Sequence, residues 1–231
     1  MPTDFNEYRN SYRDAVDDAV SFSGAPPELF TRLKARHLVD LAERRLGDPA
    51  GLRVLDVGCG VGETDRVLEG AFSELHGVDV APELLAAAAD ANPWASYRAY
   101  AEGEPIPHPD GAFDVGFAIC VLHHVPPADW ERFLGEIARV TRPGGVVAIF
   151  EHNPLNPLTR LTVARCEFDE DAVLLTRRRT RGLLAGLGLA ELEAPYIIPV
   201  PGEGRAAGAL ERGLARVPLG AQYYVAAEPR A

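Results

Sequence analysis

Apolar positions recur along this chain with two different periods. Between residues 4 and 22, Phe5, Tyr8, Tyr12, Val16 and Val20 fall on one face at helical spacing, which predicts an amphipathic helix. Phe22-Ser23-Gly24-Ala25-Pro26-Pro27 breaks it. A second helix is expected from Glu28 to Leu46, with Leu29, Leu33, Leu38, Leu41 and Ala42 turned inward. The pattern then changes to short runs read as strands: Arg53 to Val57, Glu74 to Asp79, a strand within Trp94 to Tyr100, Phe113 to Leu122, and Val146 to Phe150. Helical stretches separate them. Glu63 to Ala71 is one, and Pro82 opens another that Asn92-Pro93 ends. Pro126-Pro127 precedes a third, with Trp130, Phe133, Leu134, Ile137 and Val140 on one face, stopped by Arg142-Pro143-Gly144-Gly145.

Past residue 153 the pattern loosens. Asn153 to Thr162 reads as loop plus a short helix, Thr176 to Leu187 as a helix, Leu189 to Val200 as a strand, Arg205 to Arg216 as a short helix, and Gln222 to Ala227 as the last strand. Strands alternating with helices of this length predict an α/β fold with a doubly wound, mostly parallel sheet. The two closing strands, with no long helix between them, predict an antiparallel pair. No repeat or linker divides the chain. It reads as a single domain over 1–231, with an N-terminal helical cap at 1–50, a core at 51–152, and acceptor-side helices with a C-terminal β-hairpin at 153–231.

The stretch Val54-Leu55-Asp56-Val57-Gly58-Cys59-Gly60-Val61-Gly62 organises the rest. It is strand, tight turn and helix start, and such a turn brings backbone amides close to a ligand. A second apolar run, Gly77-Val78-Asp79-Val80, ends in an acid seventeen positions past Gly62. A carboxylate there accepts the ribose hydroxyls of an adenosine. The dinucleotide fingerprint G-x-G-x-x-G needs glycine where this chain has Glu63. Asp56 also stands beside the turn, and a pyrophosphate would meet two carboxylates. S-adenosylmethionine (SAM) carries no phosphate, and its ammonium and sulfonium are cationic, so neighbouring acids suit it.

These residues, with Ile106-Pro107-His108-Pro109-Asp110-Gly111-Ala112-Phe113-Asp114, resemble the class I SAM-dependent methyltransferases, in particular the type 11 small-molecule group, over roughly residues 50 to 152. The resemblance implies a seven-stranded sheet with an antiparallel last strand inserted beside strand 5, and an N-terminal helical lid. It implies SAM as cofactor and S-adenosylhomocysteine as product, held by Asp56, Gly58, Cys59, Gly60, Asp79, Val80, Glu102, Gly103 and Ile119. Glu102 stands where the family usually has Asp. The resemblance also places the acceptor pocket just after strands 4 and 5, where His123, His124 and His152 lie. Histidine titrates near neutrality and is the default base for deprotonating an acceptor hydroxyl. Adjacent residues are expected to point apart, and no carboxylate sits at ligand spacing, so no metal is expected. Glu151 either orients an imidazole or faces the cofactor. Lys34 is expected on a solvated face, and Arg177-Arg178-Arg179 with Arg181 on another.

Composition narrows the partners. The chain has 231 residues, 47% of them hydrophobic, with a net charge of −11. Its pI of about 5.0 argues against a nucleic-acid surface. Cys59, Cys120 and Cys166 show neither zinc nor disulfide spacing, which fits a reducing cytoplasm. Met1 to Asp18 is acidic and polar, unlike a signal peptide, and no apolar run would span a membrane. The expectation is methyl transfer to an O, N or C atom of a small-molecule acceptor. The alternatives are a rearrangement or cyclisation that uses bound SAM as a fixed charge, a non-catalytic SAM-binding partner subunit, and a dehydrogenase, against which the glycine spacing speaks.

Overall fold

A computed structural model describes residues 25–166 and 169–230. The amphipathic segment expected over 4–22 lies outside the described residues. Helix α1 (Pro27–Leu46) starts with proline in its first turn and ends at Gly47, whose φ of 91° and amide bond to Glu43 O close the last turn. Its Leu33, Ala35, Leu38, Leu41 and Ala42 are buried. After a 3₁₀ turn (Pro49–Gly51) come β1 (Arg53–Val57), α2 (Glu63–Val67), β2 (Glu74–Asp79), α3 (Pro82–Ala91), β3 (Ser96–Ala99) and β4 (Phe113–Ile119). A 3₁₀ turn (Leu122–His124) leads to α4 (Trp130–Val140) and β5 (Thr141–His152). The remainder is α5 (Pro157–Val163), α6 (Arg177–Gly186), β6 (Ala190–Glu193), β7 (Tyr196–Ile197), α7 (Arg205–Leu214) and β8 (Gln222–Glu228).

The strands form one sheet in the order β3-β2-β1-β4-β5-β8-β6, with β7 also paired to β8. Strands β1 to β5 are parallel, and β8 runs antiparallel to β5, β6 and β7. Eight strands replace the expected seven, because the run from Leu189 to Val200 divides at Ala194-Pro195. The late strands pair antiparallel with β8 as expected, with α7 between them where a short helix was expected. Helix α2 is shorter than expected, and β4 stops at Ile119. Arg142 to Gly145 does not separate α4 from β5. It lies inside β5, where the register jumps from Phe113↔Thr141 to Val115↔Val146. These residues bulge out of the ladder, which accommodates Pro143.

Side chains alternate across the sheet into two cores. Leu55, Val57, Val147, Ile149, Tyr223 and Val225 pack with α4 and α6 on one face. Val54, Val146, Ala148, Phe150, Tyr224 and Ala226 pack with α1 on the other. Each fully buried aliphatic side chain contributes roughly 1.5–3 kcal/mol. Because β1 lies between β2 and β4, chain direction across the sheet reverses there, and the carboxyl ends of β1 and β4 border a crevice. Among the described residues no helix is long and apolar enough to cross a membrane.

Candidate active site

The turn after β1 is built from three left-handed glycines, Gly58, Gly60 and Gly62, with φ of 79°, 53° and 72°. Gly58 and Cys59 both donate to Val78 O, at 2.8 and 3.2 Å, which ties the turn to β2. Asp79 at the end of β2 accepts from Gly60 N and Ala81 N, both at 2.9 Å. Burial pushes the Asp79 pKa up, and these amides pull against it. Asp56 is 3% exposed, and its Oδ1 has no hydrogen-bond partner. Burial, then the facing carboxylate of Asp65, push its pKa well up. Burial likewise raises Asp65 to about 6, against the hydrogen bond that Tyr97 Oη donates at 2.8 Å. Burial holds Cys59 as a thiol.

Across the crevice, β4 ends in a strained corner. Cys120 adopts φ 58°, in the left-handed region, while its amide donates to Phe150 O at 2.9 Å. The following turn is pinned by Glu151. Leu122 N donates to Glu151 Oε1 at 2.9 Å, and His123 Nδ1 lies 2.6 Å from Oε2. Trp130 Nε1 donates to Leu122 O and Val125 O, at 3.0 and 2.9 Å. Asp169, from the segment after α5, lies 3.3 Å from His123 Nε2 and 3.4 Å from His124 Nε2. Adjacent His123 and His124 therefore do not point apart. The tight 3₁₀ turn brings their ring centroids within 4.1 Å, and both reach one carboxylate. His152, at the end of β5, has its ring centroid 5.2 Å from that of His123.

The electrostatics differ among the three histidines. Burial opposes charge on His123, but Glu151 and Asp169 outweigh it and raise the pKa well above normal. Burial, reinforced by the charge on His123, lowers His124 to about 4. His152 is raised against burial by the Cys120 sulfur. That thiol falls to about 7 against burial, because Lys34 and His152 stabilise the thiolate. Gln222 Nε2 also donates to Cys120 Sγ at 3.5 Å.

A cavity of about 900 Å³ joins the two halves. Asp56, Gly58, Cys59, Gly60, Asp79, Val80, Glu102, Gly103, Ile119, His123, His124 and His152 all line it. So do three residues that sequence reasoning set aside or missed, namely Lys34, Cys120 and Asp169. Lys34 is half-buried at the cavity wall rather than on a solvated face. Asp169 stands in an irregular acidic stretch whose sequence carries no periodicity. Glu151 is 1% exposed and serves to orient His123. The arginine cluster lies elsewhere. Arg177 donates to Ala194 O and stacks on Tyr196, and Arg181 pairs with Glu191.

Residues 55–149 match the type 11 methyltransferase family model, described as a methyltransferase domain. The chain is 32% identical over 177 residues to the 27-O-demethylrifamycin SV methyltransferase of Amycolatopsis mediterranei, covering 72% of this chain and 58% of that protein. It is 32% identical over 108 residues to the 2-methyl-6-phytyl-1,4-hydroquinone methyltransferase of a Synechocystis strain, covering 46% and 33%. A solved SAM-dependent methyltransferase from Thermotoga maritima superposes with a TM-score of 0.64 at 17% identity, covering 87% and 92%.

Residues 55–149 form a methyltransferase domain of the type 11 family, on the fold of the class I enzymes. The chain spans between about a third and three fifths of the length of the curated relatives named here. Its cavity chemistry fits the cofactor of that family. The orphaned oxygen of buried Asp56, grouped with Asp65 and Asp79, favours a ligand carrying positive charge and disfavours a phosphate.

Proposed function

We propose that this methyltransferase moves the methyl group of SAM to a hydroxyl of a small-molecule acceptor. One observation carries the reading: a single cavity places the glycine turn and Asp79 opposite the histidine–Asp169 cluster. In this reading the Gly58–Gly60 turn, bare of side chains at its glycines, lets the methionine part of SAM pack close to the backbone beside Asp56, while Asp79 takes the ribose and Glu102 the adenine edge. When bound, SAM supplies a methyl group on a cationic sulfur. The chain's task is then to hold an acceptor atom on the line of attack, roughly 3–3.5 Å from the methyl carbon. His124 lines the cavity with Nε2 directed at Asp169, and it takes the proton that the acceptor hydroxyl releases. His152 faces Cys120 instead.

The test begins with equilibrium binding of SAM, S-adenosylhomocysteine and NAD to the purified chain. Binding of both adenosyl compounds without an NAD response supports the cofactor, and an NAD response alone overturns it. Incubation with hydroxylated acceptors should then give a product heavier by one methyl group, together with S-adenosylhomocysteine. A rearranged product of unchanged mass would sink the transfer reading. His124→Gln should slow transfer by roughly 10²–10⁴-fold while S-adenosylhomocysteine affinity holds.

A further inference from the structure

We propose that His123, His152 and Asp169 form a binding site for one divalent first-row transition-metal cation, with Glu151 positioning His123 from behind. Their ligand atoms all lie within 4.8 Å of one another. His123 Nε2 and Asp169 Oδ1 are 3.3 Å apart. Two nitrogen or oxygen ligands on one such ion, each about 2.0–2.2 Å from it, stand roughly 3–3.5 Å apart. That side of the triangle already has the right length. The other two sides, which end on His152, are no longer than 4.8 Å, so a rotation of that ring closes them.

The arrangement behind the ligands is as informative as the ligands. Glu151 sits 2.6 Å from His123 Nδ1, is 1% exposed, and is itself held by Leu122 N. A carboxylate on one imidazole nitrogen fixes the tautomer and aims the other nitrogen at a metal. Here that other nitrogen is Nε2, the one facing Asp169. The three ligands come from separate supports: the turn after β4, the end of β5, and the segment after α5. All three line the cavity, so a bound cation keeps open positions toward it.

The donor set selects the ion class. Two imidazoles with one carboxylate suit zinc, iron(II), cobalt or manganese, whereas magnesium and calcium prefer oxygen alone. Charge also balances, because two carboxylates, buried Glu151 and partly buried Asp169, meet two imidazoles that are neutral when ligating. The cation's use in polarising an acceptor hydroxyl rests on the methyl-transfer reading. Its binding does not.

The test is titration of the chelator-stripped full chain with Co²⁺, followed by visible absorption, with Zn²⁺ competition and Mg²⁺ as a control. One equivalent of Co²⁺ should bind with the intense bands of a protein-ligated ion, and Zn²⁺ should displace it. His152→Ala and Asp169→Asn should each abolish the bands. Glu151→Gln should weaken binding roughly 10–100-fold through the His123 tautomer. His76→Asn should change nothing, since His76 packs with His108 and with Phe113 at the start of β4, the end of that strand away from the site. S-adenosylhomocysteine binding, measured on every variant, reports folding and cofactor affinity separately. Absence of Co²⁺ binding to the wild-type chain overturns the site, as does binding that survives both His152→Ala and Asp169→Asn. Co²⁺ binding without S-adenosylhomocysteine binding would keep the site and remove the cofactor reading.

Discussion

Replacing Asp65 with Asn should stabilise the fold at neutral pH and leave it unchanged in acid. Asp65 is fully buried on α2, beside the equally buried Asp56. Its pKa rises from 3.8 to about 6, chiefly through burial. A carboxyl raised in this way binds its proton more tightly folded than unfolded. Wild-type stability from this group is therefore fully present below 3.8 and lost as pH climbs through about 6. A rise of about two pKa units corresponds to ~3 kcal/mol at most. Asparagine mimics the protonated form. Its side-chain oxygen still accepts from Tyr97 Oη, and its amide donates toward Asp56. Urea unfolding of both proteins should show a gain of ~2–3 kcal/mol for Asp65→Asn near pH 8 that shrinks toward zero near pH 4. For a chain of this size that gain raises Tm by roughly 4–12 °C. A difference independent of pH, or a loss of stability near pH 8, would refute the argument that desolvation of this carboxylate penalises the folded state.

Three further substitutions probe other parts of the argument. Asp79→Ala removes the acceptor for Gly60 N and Ala81 N, and should weaken S-adenosylhomocysteine binding by roughly 10–150-fold in calorimetry. Gly62→Ala asks an L-residue to hold φ 72° with its Cβ 3.0 Å from Tyr97 Oη, and should cost about 2–4 kcal/mol in denaturant unfolding. Asn153→Ala strips the buried donor that satisfies Pro218 O and Gly220 O, and should lower stability by about 1–3 kcal/mol in a thermal scan.

The parallel core was legible because each buried strand carries its own apolar run and each turn its own glycine or proline. Val54 to Gly62 and Gly77 to Val80 state their conformation locally, so one wall of the crevice followed. What escaped depends on distant partners. Asp169 matters only because the segment after α5 returns to the turn after β4, and no local pattern announces that return. The pairing of His123 and His124 on one carboxylate required the 3₁₀ geometry of Leu122–His124, whereas strand spacing through Leu122 would have sent them to opposite faces. Arg142 to Gly145 read as a stop because its composition is that of a turn. The bulge in β5 has that same composition and continues the strand. Lys34 looked like any exposed lysine, and only the packing of α1 against the sheet turned it to the cavity.

The position of β8 bears on how the chain is assembled. Among the described residues, β6 and β7 pair with β8 alone, and β8 also covers the free edge of β5. During synthesis, a nascent chain ending before Gln222 leaves one side of β5 open and β6 and β7 without a partner strand. The amino-terminal parallel half can condense first. The final third then docks in one late, long-range event, with the exposed edge of β5 as the site most vulnerable to mispairing between copies. His152 pairs with Gln222 in that ladder, so the end of β5 that carries it takes its final position only with this last step.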